Sequence, residues 1–291
     1  APNFQVIDER RSAELRLETR DAFLRRSLRR DNPALAKAML HIAGLIDEVK
    51  FAEMITELDA ARGRFSRLIY DYGSLDALIN GNRETLGLMP DCSHKSIIGA
   101  AVKDEAIDIT SLNLACASLA AGSIKEQNRA IQIRNWLEAD LLTRAERFLE
   151  DYSPIFLTQK RTPRAVKGLI SQNLAAVKPQ ILSALLNERD RVHTVSEKLK
   201  AVTIFENTEA ILTIGHAFLK AYEKLKSTHG LLDYDDLITK AANLLSDQAG
   251  VSWVHYKLDG GIDHILVDEA QDTSPTQWNV ITQLAGDFFS G

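Results

Sequence analysis

The stretch Ile265-Leu266-Val267-Asp268-Glu269-Ala270-Gln271-Asp272-Thr273-Ser274-Pro275 decides how this chain is read. Ile262 to Val267 predicts a strand, and its unbroken Ile-Leu-Val core suits a parallel sheet buried on both faces. Ser274-Pro275 predicts an N-cap and a first-turn proline for a helix running to about Leu284. The tips of strands in an open α/β sheet are where ligands bind. Two adjacent carboxylates at such a tip have a defined chemistry. Asp268 would hold a magnesium ion, through water, and Glu269 would polarise a water that attacks a γ-phosphate. An apolar run ending in Asp-Glu is by itself no more than a strand closing in a polar turn. The longer string, through Gln271, Asp272, Ser274-Pro275 and Gln277-Trp278, carries the Walker B reading. The Gln271 amide both donates and accepts and reads as a coupling residue, whereas Asp272 reads as closing the turn.

Working outward, Leu231-Leu232-Asp233-Tyr234-Asp235-Asp236-Leu237 predicts a helix capped by Asp233, with acids in its first turn favourable to the helix dipole. That helix extends to about Leu245, and Gly260-Gly261 reads as a turn. A single parallel strand at 262–267 cannot stand alone. Its neighbours must be outside the chain or in short strands the pattern does not reveal.

The first 230 residues read almost wholly as helix. Glu9 to Arg30 carries Ala13, Leu17, Leu24 and Leu28 at helical spacing. Asp31-Asn32-Pro33 ends one helix and starts the next. Ala34 to Leu58 predicts two helices broken near Gly44, and Gly81 to Ser96 a loop. Lys125 to Tyr152 predicts one long amphipathic helix, Thr162-Pro163 a break and helix start, and Lys178-Pro179 another start or kink. Glu188 to Ser227 contains no proline and predicts one long helix or two joined ones.

Composition narrows the class. Of 291 residues 45% are hydrophobic and 26% charged, ordinary for a globular chain of one or two domains. No apolar run approaches the roughly 20 residues of a membrane helix, and Ala1-Pro2-Asn3 opens no signal peptide. With only Cys92 and Cys116 and no ligand spacing, the expectation is a reducing cytoplasm and no zinc site. The missing initiator Met and the Ser290-Gly291 end point to a piece of something longer. The net charge is −5, but every arginine lies at or before Arg191. From His216 onward there are 5 lysines and 11 acids, so phosphate contacts, if any, are expected from the earlier part. Arg25, Arg26, Arg29 and Arg30 are a candidate phosphate cluster, with a solvated face as the plain reading. Trp136, Trp253 and Trp278 read as core rather than base-stacking residues. No HExxH spacing, nucleophile elbow or Cys-His signature appears.

The string DEAQD at 268–272 resembles helicase motif II of the UvrD-like superfamily 1 DNA helicases. A similar Asp-aromatic-Asp-Asp-Leu string precedes motif II there, and here Asp236 precedes Asp268 by 32 positions. HILVDEAQDTSPTQW (264–278), LLDYDDLITKAANLL (231–245) and NFQVIDERRSAEL (3–15) together are most similar to the AddA-type helicase-nuclease subunits, in their alphaproteobacterial form. Between about Arg20 and Gly215 the similarity is one of length and helix content only. The resemblance implies a mainly α fold: residues 1–215 as a helical, DNA-contacting 1B-like domain, and 216–291 as an incomplete RecA-like α/β segment (part of domain 1A) carrying one Walker B strand and motif II. It implies Asp268 and Glu269 as magnesium and nucleotide ligands, and Glu269 and Gln271 as catalytic. It further implies ATP and Mg2+ as cofactors of the intact protein, single-stranded and duplex DNA as partners, and a second subunit of AddB type.

The chain departs from the pattern in one decisive respect: no GxxxxGK[ST] phosphate loop occurs in it. The glutamine-rich motif, later motor motifs, an arginine finger and a nuclease carboxylate set are also missing. The expectation is therefore that this chain alone neither binds ATP tightly nor hydrolyses it. Alternatives are a UvrD-like helicase without a nuclease, a non-catalytic helical DNA- or protein-binding module, and a helical scaffold.

Overall fold

Asn32 shows how directly local chemistry sets this fold. Its side chain accepts the Leu35 N–H at 3.0 Å while Pro33 fills the first helical turn, and a helix starts there as expected. The computed structural model describes residues 4–27, 32–246, 257 and 264–285. It is mainly α-helical, with one two-stranded sheet among the described residues. The chain divides into two compact units, one of residues 80–208 and one of the segments on either side. In this division the first 79 residues group with the C-terminal part.

In the flanking unit, β1 (Gln5–Val6) pairs in parallel with β2 (Leu231–Leu232), Gln5 opposite Leu231. Gly230, at φ 62, adopts the left-handed turn that brings β2 back from the preceding helix. These are short strands that the sequence pattern hid. They also join the two ends on which the family resemblance rests. The helices α1 (Glu9–Ser27), α2 (Pro33–Ala43), α3 (Glu48–Ala60) and α4 (Arg62–Tyr72) belong to this unit. Phe23, Ile42, Phe51 and Phe65 pack with Ile214 and Phe218 into its main core, with Phe23 edge-on to Phe218 at 6.0 Å. Ile7, Leu15 and Tyr222 form a smaller cluster beneath the sheet strands.

In residues 80–208, α5 (Leu75–Thr85) leads past a loop to α6 (His94–Ala101), α7 (Ile109–Leu119) and α8 (Ile124–Leu137). The expected loop from Gly81 thus begins after Thr85. The expected single helix from Lys125 to Tyr152 is also broken. Asp140 accepts the N–H groups of Leu142 and Thr143 and caps a new helix, α9 (Leu141–Arg147). A π-helical turn, Phe148–Tyr152, then runs into α10 (Ser153–Phe156). Thr162-Pro163 starts no helix; Pro163 pairs antiparallel with Leu157 in a tight hairpin. After α11 (Gln172–Val177), Pro179 opens α12 (Pro179–His229), one continuous helix. Trp136 is core, as expected: it stacks on Tyr152 with ring centres 3.6 Å apart, and the Tyr152 hydroxyl donates to the buried Glu188 at 2.6 Å.

The C-terminal described segment is α13 (Tyr234–Ser246) and, after Glu269, α14 (Pro275–Ala285). The expected Walker B strand is not present over 264–267, which is irregular and exposed, with Leu266 at 95%. Residues 262 and 263 lie outside the described residues. Among those described, no strand lies beside this segment, and an apolar run without a hydrogen-bonded neighbour has no ladder to hold it extended. Trp278 is 39% exposed, so the expectation of core holds for Trp136 and not for it; Trp253 and the Gly260-Gly261 turn lie outside the described residues.

Candidate active site

The Asp233 string is more than a helix start. Asp233 caps α13 by accepting the Asp236 N–H at 2.9 Å, and Asp236 in return accepts the Asp233 N–H at 3.0 Å. The same Asp233 carboxylate is buried and takes a two-pronged grip from the Arg62 guanidinium, one bond measuring 2.9 Å. Lys226 Nζ donates to it at 2.9 Å and the Tyr222 hydroxyl at 3.2 Å. Arg62 also meets Asp59 at 3.3 Å, and Asp59 meets Arg16 at 2.9 Å. Five elements are thus tied through ionised groups: α1, α3, α4, α12 and α13.

Electrostatics follow from this geometry. Burial opposes the Asp233 charge, but Arg62 and Lys226 outweigh it and hold the carboxyl well below the ordinary range. Burial likewise opposes charge on Arg62, and Asp233 overcomes it, raising the guanidinium further. The Tyr222 phenol is pushed up by burial and then by Asp233.

The carboxylate pair sits beyond α13. Asp268 Oδ1 accepts the Glu269 N–H at 2.9 Å. Glu269 adopts φ 50, ψ 42, a left-handed conformation that is uncommon for a residue with a side chain. Gln271 Nε2 donates to Glu269 Oε2, so the two catalytic candidates touch. Ser274 then caps α14 as expected: its N–H donates to Gln277 Oε1 at 2.7 Å, and its Oγ accepts the Gln277 N–H at 3.3 Å. Both carboxylates are exposed. A Cβ at Gly63, next to Arg62, would lie 4.0 Å from Thr276 Oγ1, so the start of α14 lies close to α4. The starts of α13, held by Arg62, and of α14, beside Gly63, therefore both lie against the start of α4.

Magnesium suits the donor set. Asp268 and Glu269 offer hard, exposed oxygens, and each carboxylate keeps one oxygen outside these hydrogen bonds. Among the described residues no group of three or more His, Cys, Asp or Glu converges. Magnesium needs less than that, since it retains several waters and takes one or two carboxylates. Nucleotide phosphates need a lysine as well; Lys226, of the network at the start of α13, is committed to Asp233 and Asp236.

Of the Arg25–Arg30 cluster, Arg25 is exposed; the side chains of the other three lie outside the described residues. What the sequence reading passed over is the span from Tyr152 to Asn187, which contains five cations and no acid. No described helix is long and apolar enough to cross a membrane.

Comparison with known proteins places this arrangement. The A subunit of an ATP-dependent helicase/nuclease from Leuconostoc mesenteroides subsp. mesenteroides is 27% identical over 122 residues, 42% of this chain and 9% of that protein. The chain therefore spans a small fraction of that relative's length. No solved structure matches it. Residues 12–289 match the family model of the UvrD/REP helicase N-terminal domain. With nearly the whole chain matched, the chain belongs to the UvrD/REP helicase N-terminal domain family.

Proposed function

We propose that this chain is a segment of an ATP-dependent DNA helicase-nuclease subunit that works in double-strand-break repair and recombination. The observation that carries the reading is the contact of Gln271 with Glu269 beside Asp268, at the start of a capped helix. Asp268 holds the magnesium of a bound nucleotide. Glu269 orients the attacking water and takes its proton, and Gln271 fixes the Glu269 carboxylate. Bound magnesium-ATP supplies a phosphoryl group activated for transfer. Residues 216–291 contribute to a RecA-like domain, and residues 1–215 are the accessory, DNA-contacting 1B-like part. The intact protein works in the cytoplasm with a second subunit of AddB type and on single-stranded and duplex DNA. Without a GxxxxGK[ST] loop, the 291 residues alone are inactive.

The test is ATP hydrolysis by the intact polypeptide carrying this chain, with and without single-stranded DNA. Wild type should show DNA-stimulated turnover, and Glu269→Gln should lower kcat by roughly 10²- to 10⁴-fold with ATP binding retained. Turnover indifferent to the substitution would remove the roles given to Asp268 and Glu269.

A further inference from the structure

Residues 158–164 form a tight turn closed by Thr158 N–H to Thr162 O at 2.9 Å and Arg161 N–H to Thr158 O at 2.8 Å. Arg161 sits at its tip with φ 58. Lys160, Arg161 and Lys167 are exposed, and none of them is in an ion pair with a described residue. Beside them, Arg164 and Arg129 line an open cleft of about 510 Å³ between α8, the π-helical turn and α10. Arg129 is half-buried, and its guanidinium donates only to carbonyls, those of Gly168 and Leu169. Arg164 Nε donates to the Pro154 carbonyl at 3.1 Å. Burial, and then repulsion from Arg164, lowers the Arg129 pKa against a smaller opposing attraction from Glu126. Three guanidiniums line the cleft; those of Arg129 and Arg164 form no ion pair with a described residue, an arrangement that an oxyanion completes. Two carboxylates also line the cleft; Asp151 lies 3.8 Å from Arg147, and Glu150 is exposed. The turn of a π-helix on the cleft wall is the kind of irregularity that recurs at functional sites.

We infer that the 158–167 hairpin and the Arg129/Arg164 cleft hold the phosphodiester backbone of a nucleic acid. The inference rests on the DNA-contacting role proposed for residues 1–215 and locates it. The cations supply phosphate contacts that are independent of sequence, and Gln132 and Asn135, exposed on the α8 wall, can add hydrogen bonds to phosphate or sugar.

The experiment measures binding of the 291-residue chain to fluorescein-labelled single-stranded and duplex oligonucleotides across a salt series. Lys160→Gln/Arg161→Gln/Lys167→Gln should weaken binding and flatten the log K against log[salt] slope by about one per cation removed. Lys220→Gln/Lys224→Gln/Lys240→Gln, an equal charge change at exposed positions of the other unit and outside residues 1–215, should leave the slope as it is. Glu150→Gln should tighten binding about two- to fivefold, the reach of an exposed charge, an effect that misfolding cannot imitate. If wild type binds and the 160/161/167 variant keeps its slope, or the control loses as much, this inference is overturned while DNA contact by the chain stands. If wild type binds neither oligonucleotide, the DNA-contacting reading fails first. Displacement of DNA by millimolar inorganic phosphate at constant ionic strength would assign the cleft to a free anion and overturn the backbone assignment.

Discussion

Arg62 and Asp233 stand 171 residues apart in sequence and meet as a two-pronged, largely buried ion pair. The pair ties the start of α4 to the start of α13. Removing Asp233 takes the shared partner from two largely buried cations, leaving Arg62 to Asp59 and Asp235 and Lys226 to Asp236. Asp233→Ala should therefore cost about 3–5 kcal/mol in urea unfolding. Asp235→Ala, whose carboxylate is mostly exposed, should cost less than about 1 kcal/mol. Equal effects would mean the network is not a structural tie.

The same network predicts acid sensitivity. Asp233 has a folded pKa depressed below its unfolded value, so its stabilisation is present above the unfolded pKa near 4 and is lost as pH falls through the folded one. In residues 80–208, Glu126 behaves alike: burial would raise it, but N–H bonds from Ser171 and Ser123 hold it at about 2. Urea midpoints should thus drop as pH is lowered from about 5 toward about 2. Glu126→Gln should lose part of that slope.

In the other unit, Tyr152→Phe removes the hydroxyl that donates to buried Glu188, leaving Arg191 as its remaining partner. The expected loss is about 1.5–3 kcal/mol, the range for hydrogen bonds to charged groups. The aromatic stack on Trp136 stays, so near-ultraviolet dichroism should be retained.

In the intact polypeptide, Gln271→Ala frees the Glu269 carboxylate. Turnover should fall roughly tenfold or more, less than for Glu269→Gln, with ATP binding retained. Wild-type turnover in Gln271→Ala would reduce the contact to a local turn bond.

Calorimetric titration of the 291-residue chain with magnesium-ATP should show no tight binding, because the sequence holds no phosphate loop whose lysine would grip the β- and γ-phosphates. Micromolar affinity would contradict this.

The sequence was most legible where structure is decided within one turn. Asn32-Pro33, Asp233 and Ser274-Pro275 each begin a helix where expected, because a cap satisfies N–H groups two or three residues away. Asp140 obeys the same rule, but it is hidden within an otherwise helical pattern. The run Ile265-Leu266-Val267 misleads because a buried strand is defined by its neighbours, which periodicity does not report. At the candidate site, the adjacency of Asp268 and Glu269 is written in the sequence. The Arg62 grip on Asp233 is not, since nothing local distinguishes Arg62 from Arg64 or Arg67. The basic hairpin is visible as an acid-free span, but its cations are spread out, whereas those of α1 stand in a conspicuous cluster.

The π-helical turn at 148–152 sets the phase of everything after it. Such a turn is one residue more than an α-helix would use, and each helical residue rotates the chain by about 100°. Tyr152, Ile155, Phe156 and Leu157 face the core in that phase. Deleting a single residue from Phe148–Tyr152 would give a more regular helix and swing Tyr152 off both Trp136 and Glu188. The exposed positions Glu150 and Asp151 should therefore tolerate exchange of residue, but the segment no change of length.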